Sequence, residues 1–189
     1  MTRLIFITHP VVEIDPSKPA DQWLVSKDGW KDVKRLLKKS FWSQVDKIYS
    51  SQENKAKRVA EEIAENFGNL HFNTPITLLG EIDRSSTGFL ERETYDKAIE
   101  EFYRYPDKSF KGWETSRAAT ERIVAVVSEI MKENKDKTIA IVGHGATGTL
   151  LACHVKGIPP TIKEDPRVNG CIMVYDWDKK QILSPWEKY

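Results

Sequence analysis

Two strand-length stretches of this chain, residues 3–8 (RLIFIT) and 137–143 (KTIAIVG), carry unbroken apolar centres. A strand with one wet face alternates apolar and polar residues; a strand covered on both faces does not. Both stretches therefore predict fully buried strands. Each also runs directly into a histidine, His9 in "LIFITHP" and His144 in "VGHGATG".

Between these strands the pattern changes to a helical period. "DGWKDVKRLLKKSF" repeats Trp30, Val33, Leu36 and Leu37 at helical spacing, and "ENKAKRVAEEIAENFG" presents Ala56, Val59, Ala60 and Ile63 on one face, with Gly68 as a stop. "TYDKAIEEFYRY", "SRAATERIVAVVSEIMKEN" and "TGTLLACHVKG" read as further helices. "DKIYSS" and "TPITLLG" read as the second and third strands. "GCIMVYDWDKKQIL" reads as an antiparallel hairpin turning near Asp178 to Lys180, or as one long edge strand. Alternating strands and helices imply an α/β fold, a three-layer α/β/α sandwich. Its central sheet is expected to be mostly parallel with an antiparallel edge strand, in a single domain over residues 1–189. The longest irregular piece, Pro10 to Val25 with three prolines, has the length of a functional loop.

In sheets of this kind ligands bind beyond the carboxyl ends of the strands. His9, Ser50 and Ser51, Glu81 and His144 each follow a predicted strand, so the topology gathers them along one edge. Composition narrows the ligand. With 29 basic and 28 acidic residues the net charge is +1, and no basic excess points to nucleic acid or an anionic membrane. Neither cysteine, Cys153 or Cys171, belongs to a CxxC pair, and no donor set has metal-ligand spacing, so neither metal nor cofactor is expected. No apolar run reaches the roughly 18 residues of a membrane span, and no signal run opens the chain. A cytoplasmic protein is the expectation; oligomeric state is not legible.

Two strand-end histidines without metal partners suit nucleophilic chemistry at phosphorus. An imidazole attacks and holds the phosphoryl group, cations and N–H donors surround its oxygens, and a carboxylic acid protonates the leaving alkoxide. Gly143 and Gly145 around His144 let backbone approach a ligand, and the start of the following helix offers anion-binding N–H groups.

Five segments in register, "ITHP", "LVSKDG", "YSSQENKA", "LGEIDRSSTG" and "VGHG", give the chain a family resemblance. It resembles the histidine phosphatase or phosphoglycerate mutase-like superfamily. There the corresponding pieces run Arg-His-Gly, Leu-Thr-x-x-Gly, Ser-Ser-Pro-x-x-Arg-Ala, Leu-x-Glu and Ser-His-Gly. The resemblance implies a phosphoglycerate mutase-like fold, His9 as the phosphoryl-accepting nucleophile, His144 as the second, phosphoryl-binding histidine, and Glu81 as the proton donor. This chain diverges where Thr8 and Pro10 flank the nucleophile and where Lys55 replaces an arginine. Lysine keeps the charge but loses the planar fork, threonine keeps a hydroxyl, and proline removes an N–H. Arg84 is the candidate replacement. Substrate-binding positions are then Thr8, Lys55, Arg84 and Gly145. Glu114 in "GWE" reads as the entry to the long helix, near its positive end.

The leading reading is a phosphatase acting on a small phosphorylated substrate, or on a phosphoprotein, through phosphohistidine at His9. The alternative is a catalytically weak or inactive relative that binds a phosphorylated or anionic ligand.

Overall fold

The computed structural model describes residues 1–68 and 70–189. Six strands form one sheet: β1 (Arg3–Thr8), β2 (Lys47–Ser50), β3 (His71–Phe72), β4 (Thr138–Gly143), β5 (Cys171–Asp176) and β6 (Gln181–Lys188). Their spatial order is β3-β2-β4-β1-β5-β6. The first four are parallel, with β1 paired to β4 from Arg3↔Thr138 to Thr8↔Gly143. β5 runs antiparallel to β1, and β6 returns along β5 to form the edge. The hairpin expectation is the one realised, turning at Trp177–Lys180.

The unbroken apolar runs are explained by helices on both faces. On one face Ile5, Ile7, Ile48, Ala140 and Val142 pack against α1 (Lys27–Leu36) and α2 (Asn54–Asn66). On the other, Leu4, Phe6, Ile139 and Ile141 pack against α3 (Arg92–Arg104), α4 (Ser116–Glu133) and α5 (Gly145–Lys156). Full burial of such a side chain contributes about 1.5–3 kcal/mol, so the central strands β1 and β4 are the best-anchored elements. No helix among the described residues is long and apolar enough to cross a membrane.

One strand expectation is corrected. "TPITLLG" does not form the third strand; β3 is the two-residue stretch His71–Phe72, and Thr77–Leu79 is a 3₁₀ turn. Pro75 has no N–H for a ladder, and beyond it only Ile76 bridges to Ser51. Leu79 then inserts into the core while Leu78 stays exposed. Glu81 therefore follows a turn, not a strand.

The loop after β1 is pinned rather than loose. Val12 and Val25 form an antiparallel bridge. Ser26 caps α1 by accepting the Gly29 N–H at 3.0 Å and donates its own hydroxyl proton to the Val11 carbonyl. A Cβ on Gly29 would lie 2.2 Å from that carbonyl oxygen, so only glycine lets α1 close on the loop.

Candidate functional site

β1 and β4 are neighbours in register, and each ends in a histidine. The His9 N–H donates to the Gly143 carbonyl at 3.0 Å, extending the ladder by one rung. The two imidazoles consequently meet edge to face, with ring centroids 5.3 Å apart and planes at 67°.

His9 Nδ1 lies 2.8 Å from the Pro10 carbonyl oxygen. A carbonyl only accepts, so Nδ1 carries the proton and Nε2 keeps its lone pair. Burial, reinforced by the Lys55 ammonium, lowers the His9 pKa to about 4, leaving the ring neutral near pH 7. The proline that follows the histidine thus orients it through its carbonyl. His144 is fully buried, and neither ring nitrogen has a hydrogen-bond partner among the described residues. Burial holds its pKa well below the usual histidine range.

The glycines beside His144 divide their work. A Cβ on Gly143 would lie 2.8 Å from the Phe6 ring, so this glycine serves packing. Gly145 faces open space at the first turn of α5 and lines a cavity of about 390 Å³ with His9, Lys55, Glu81 and Arg84. Ligand approach is therefore a property of Gly145, not of Gly143.

Glu81 reaches the same cavity. Its carboxylate accepts the Ile82 N–H at 3.0 Å and the Ala146 N–H, at the start of α5, at 3.4 Å. Burial, then the Glu53 carboxylate, raises its pKa, the direction a proton donor requires. Lys55 is buried, donates to the Ala20 carbonyl at 2.7 Å and forms an ion pair with Glu53. Arg84 stacks between aromatic rings, its Cζ 5.0 Å from the Tyr95 centroid and 5.8 Å from that of Trp23. Asp83 does not engage it, because that carboxylate takes the Ser85 N–H and hydroxyl instead. The guanidinium donors of Arg84 thus remain available at the cavity wall.

Thr8 lies elsewhere. Its hydroxyl accepts the Cys171 N–H at 2.8 Å and is buried between β1 and β5. Ser50 is buried with no partner for its hydroxyl among the described residues, and the Ser51 hydroxyl accepts the Glu53 N–H. Glu114 immediately precedes Thr115, the cap of α4, so "GWE" does lead into the long helix. It pairs with Arg122.

Two residues at the candidate site escape sequence reasoning. Arg122 donates to the carbonyls of Leu78 (2.7 Å), Gly80 (3.1 Å) and Glu81 (3.3 Å), fixing the turn that carries Glu81. Its pairing with Glu114 eight residues earlier is the one sequence hint. Glu53 brings a second carboxylate into the site: it accepts the Glu81 N–H at 2.6 Å and stands 3.5 Å from His144 Nε2. Burial opposes its charge, but His144, the Lys55 ammonium and that N–H hold its pKa down at about 2.

Comparisons with known proteins bear on the fold and the family. Phosphoserine phosphatase 1 of Hydrogenobacter thermophilus is 27% identical over 166 residues, which cover 84% of this chain and 78% of that protein. Among solved structures, Bacillus stearothermophilus YhfR superposes with a TM-score of 0.82 at 19% identity, covering 99% of this chain and 96% of its own. A phosphoserine phosphatase from Entamoeba histolytica, solved with 3-phosphoglyceric acid, superposes at 0.80 and 19% identity, covering 100% and 98%. The model of the histidine phosphatase superfamily (branch 1) matches residues 24–184, beginning after the Thr-His-Pro segment. With most of its length matched and its two strand-end histidines in contact, the chain belongs to the histidine phosphatase superfamily.

Proposed function

We propose that this protein hydrolyses a phosphomonoester through a phosphohistidine at His9. His9 Nε2 attacks phosphorus, and the ester oxygen departs with the proton of Glu81 as a neutral alcohol. Water then attacks the phosphoramidate, returning its proton to Glu81 and releasing orthophosphate and free imidazole. Lys55, Arg84, His144 and the N–H groups at the start of α5 surround the phosphoryl oxygens. The observation that carries this reading is the His9–His144 pair, with Nε2 of His9 left free by the Pro10 carbonyl.

A cavity of about 390 Å³ suits a small substrate. Beyond Arg84 its wall carries Glu91, Arg92, Asp96, Asp165 and Arg167, charges of both signs. Such a wall fits a phosphomonoester with charged groups of its own. The names of the phosphoserine phosphatases that the chain resembles are of that type. A second reading, a weakly active relative that binds an anionic ligand, is favoured by the Thr8 hydroxyl being tied to Cys171 and Lys55 being tied to Glu53.

The test is acid-labile, base-stable labelling of the protein by a phosphoryl donor, together with turnover of an aryl phosphate. Both should be present in the native protein and absent in His9→Ala. Equal labelling of the variant removes His9 as the acceptor.

A further inference from the structure

His144 has no exposed surface, although the chemistry proposed above needs it to touch a phosphoryl oxygen. A carboxylate stands beside it. Glu53 pairs with Lys55, accepts the Glu81 N–H and lies 3.5 Å from His144 Nε2. Two of those three partners, Lys55 and His144, are groups that the proposed function assigns to the phosphoryl group. A carboxylate and a phosphoryl group satisfy such donors in the same way, as anionic oxygen acceptors.

We propose that Glu53 is an internal occupant of the phosphoryl pocket, pairing with Lys55 and standing against His144 until a phosphoryl oxygen displaces it, and so sets the affinity for phosphate. The inference rests on reading the site as a phosphoryl pocket. Displacement has somewhere to go: Lys55 lines both cavities, and Glu53 borders the other one, of about 610 Å³, walled by the Pro16–Ala20 segment and the Gly80–Ser85 turn. Swinging toward it breaks the contact with His144 and leaves Lys55 free to be shared with the ligand. Movement rather than protonation vacates the contact, because the Glu53 pKa is held low, His144 and the Lys55 ammonium outweighing burial.

The consequence is weak binding of both substrate and product. A phosphate dianion entering the pocket meets the Glu53 carboxylate, and like charges at such range oppose it strongly. Glu53 therefore offsets the cations and speeds the release of orthophosphate. No family arginine stands in the pocket to compensate, since Thr8 and Lys55 occupy those positions.

The experiment measures the dissociation constant of orthophosphate by calorimetry for the native protein, Glu53→Gln and, as a control of equal charge change, Glu62→Gln on the exposed side of α2. Glu53→Gln should bind orthophosphate about tenfold or more tightly than the native protein, since one opposite-charge contact is worth roughly one to three pKa units. Glu62→Gln should be unchanged. Removing the partner of a buried lysine can weaken the fold, so the unfolding midpoint is also followed against phosphate concentration. It should climb more steeply for Glu53→Gln than for the native chain even if it starts lower. Native turnover of an aryl phosphate combined with unchanged or weaker phosphate binding by Glu53→Gln overturns the inference and leaves the phosphatase standing. Neither turnover nor phosphate binding in any of the three proteins overturns both.

Discussion

Arg122 and Glu114 form a two-pronged ion pair, Nε to Oε1 at 2.8 Å and Nη2 to Oε2 at 2.7 Å, across the turn that presents Glu81. Their remaining hydrogen bonds all go to that turn: three carbonyls for Arg122 and the Asp83 N–H for Glu114. A point charge cannot replace a fork with this many directed donors. Arg122→Lys should lower unfolding stability by about 1–3 kcal/mol, from groups left unpartnered. It should also slow poor leaving groups more than good ones, because the acid is loosened. Arg117→Lys, in an exposed pair with Asp107, is the comparison and should do neither. Urea titration and paired alkyl and aryl phosphate kinetics read both effects.

The acid itself has a sharper signature. Glu81→Gln should reduce alkyl phosphate hydrolysis by ~10²–10⁴, the usual span of general acid catalysis, while aryl phosphates with good leaving groups lose much less. Equal losses on both classes take Glu81 out of that role.

The pH profile follows from two opposed shifts. His9 must be neutral to attack, so kcat/KM rises as pH climbs through about 4. Glu81 must be protonated, so kcat/KM falls again above the ordinary carboxylate range. Lys55 lowers both pKa values; Lys55→Met should therefore move both limbs to higher pH as well as reduce the rate. Profiles corrected for the substrate's own ionisation, near about 6, test this. Limbs that stay in place show that Lys55 does not face these groups in solution.

Arg84 should matter through its fork and its stacking. Arg84→Ala should cut kcat/KM by about tenfold or more with little change in folding, since its guanidinium forms no ion pair among the described residues. Arg84→Lys should recover only part of the loss, because an ammonium stacks less well between Trp23 and Tyr95. An Arg84→Ala variant with native kinetics leaves the phosphoryl pocket to Lys55 and the α5 N–H groups.

Stability carries the imprint of His9 as well. Its pKa falls from about 6.5 unfolded to about 4 folded, so between those values the unfolded chain binds more protons. The contribution is complete above pH 6.5 and is lost as pH drops toward 4, by up to ~3 kcal/mol. His9→Asn should flatten the decline of unfolding free energy across that window, measured by urea titration at successive pH values.

Much of this architecture was legible because local pattern and tertiary burial agree. Leu4–Ile7 and Ile139–Val142 are apolar on both faces because both faces are covered, and their terminal histidines follow from strand direction alone. β3 was misplaced because a two-residue edge strand has no periodicity to read, while "TPITLLG" is apolar for reasons of core insertion at Leu79. Gly143 looked like a ligand-facing glycine; the reason for it is the Phe6 ring, a partner 137 positions away in sequence and visible only after folding. Arg122 and Glu53 were missed for the same cause. An arginine on an amphipathic helix and an acid at a helix start are ordinary in sequence, and only the closing of the Leu78–Glu81 turn onto both gives them work.

The ladder rung between His9 and Gly143 makes the separation of the two imidazoles a spacing of the sheet itself. Neighbouring strands sit about 4.8 Å apart wherever they pair, so loop substitutions cannot retune that separation. Because β1 lies inside the sheet, flanked by β4 and β5, the His9 amide should exchange with deuterium only when the whole domain opens. The cavity wall from Ser85 to Glu91 belongs to no strand. Substrate choice can therefore be rewritten in the walls while the histidine pair stays rigid, and loss of that pair should coincide with global unfolding.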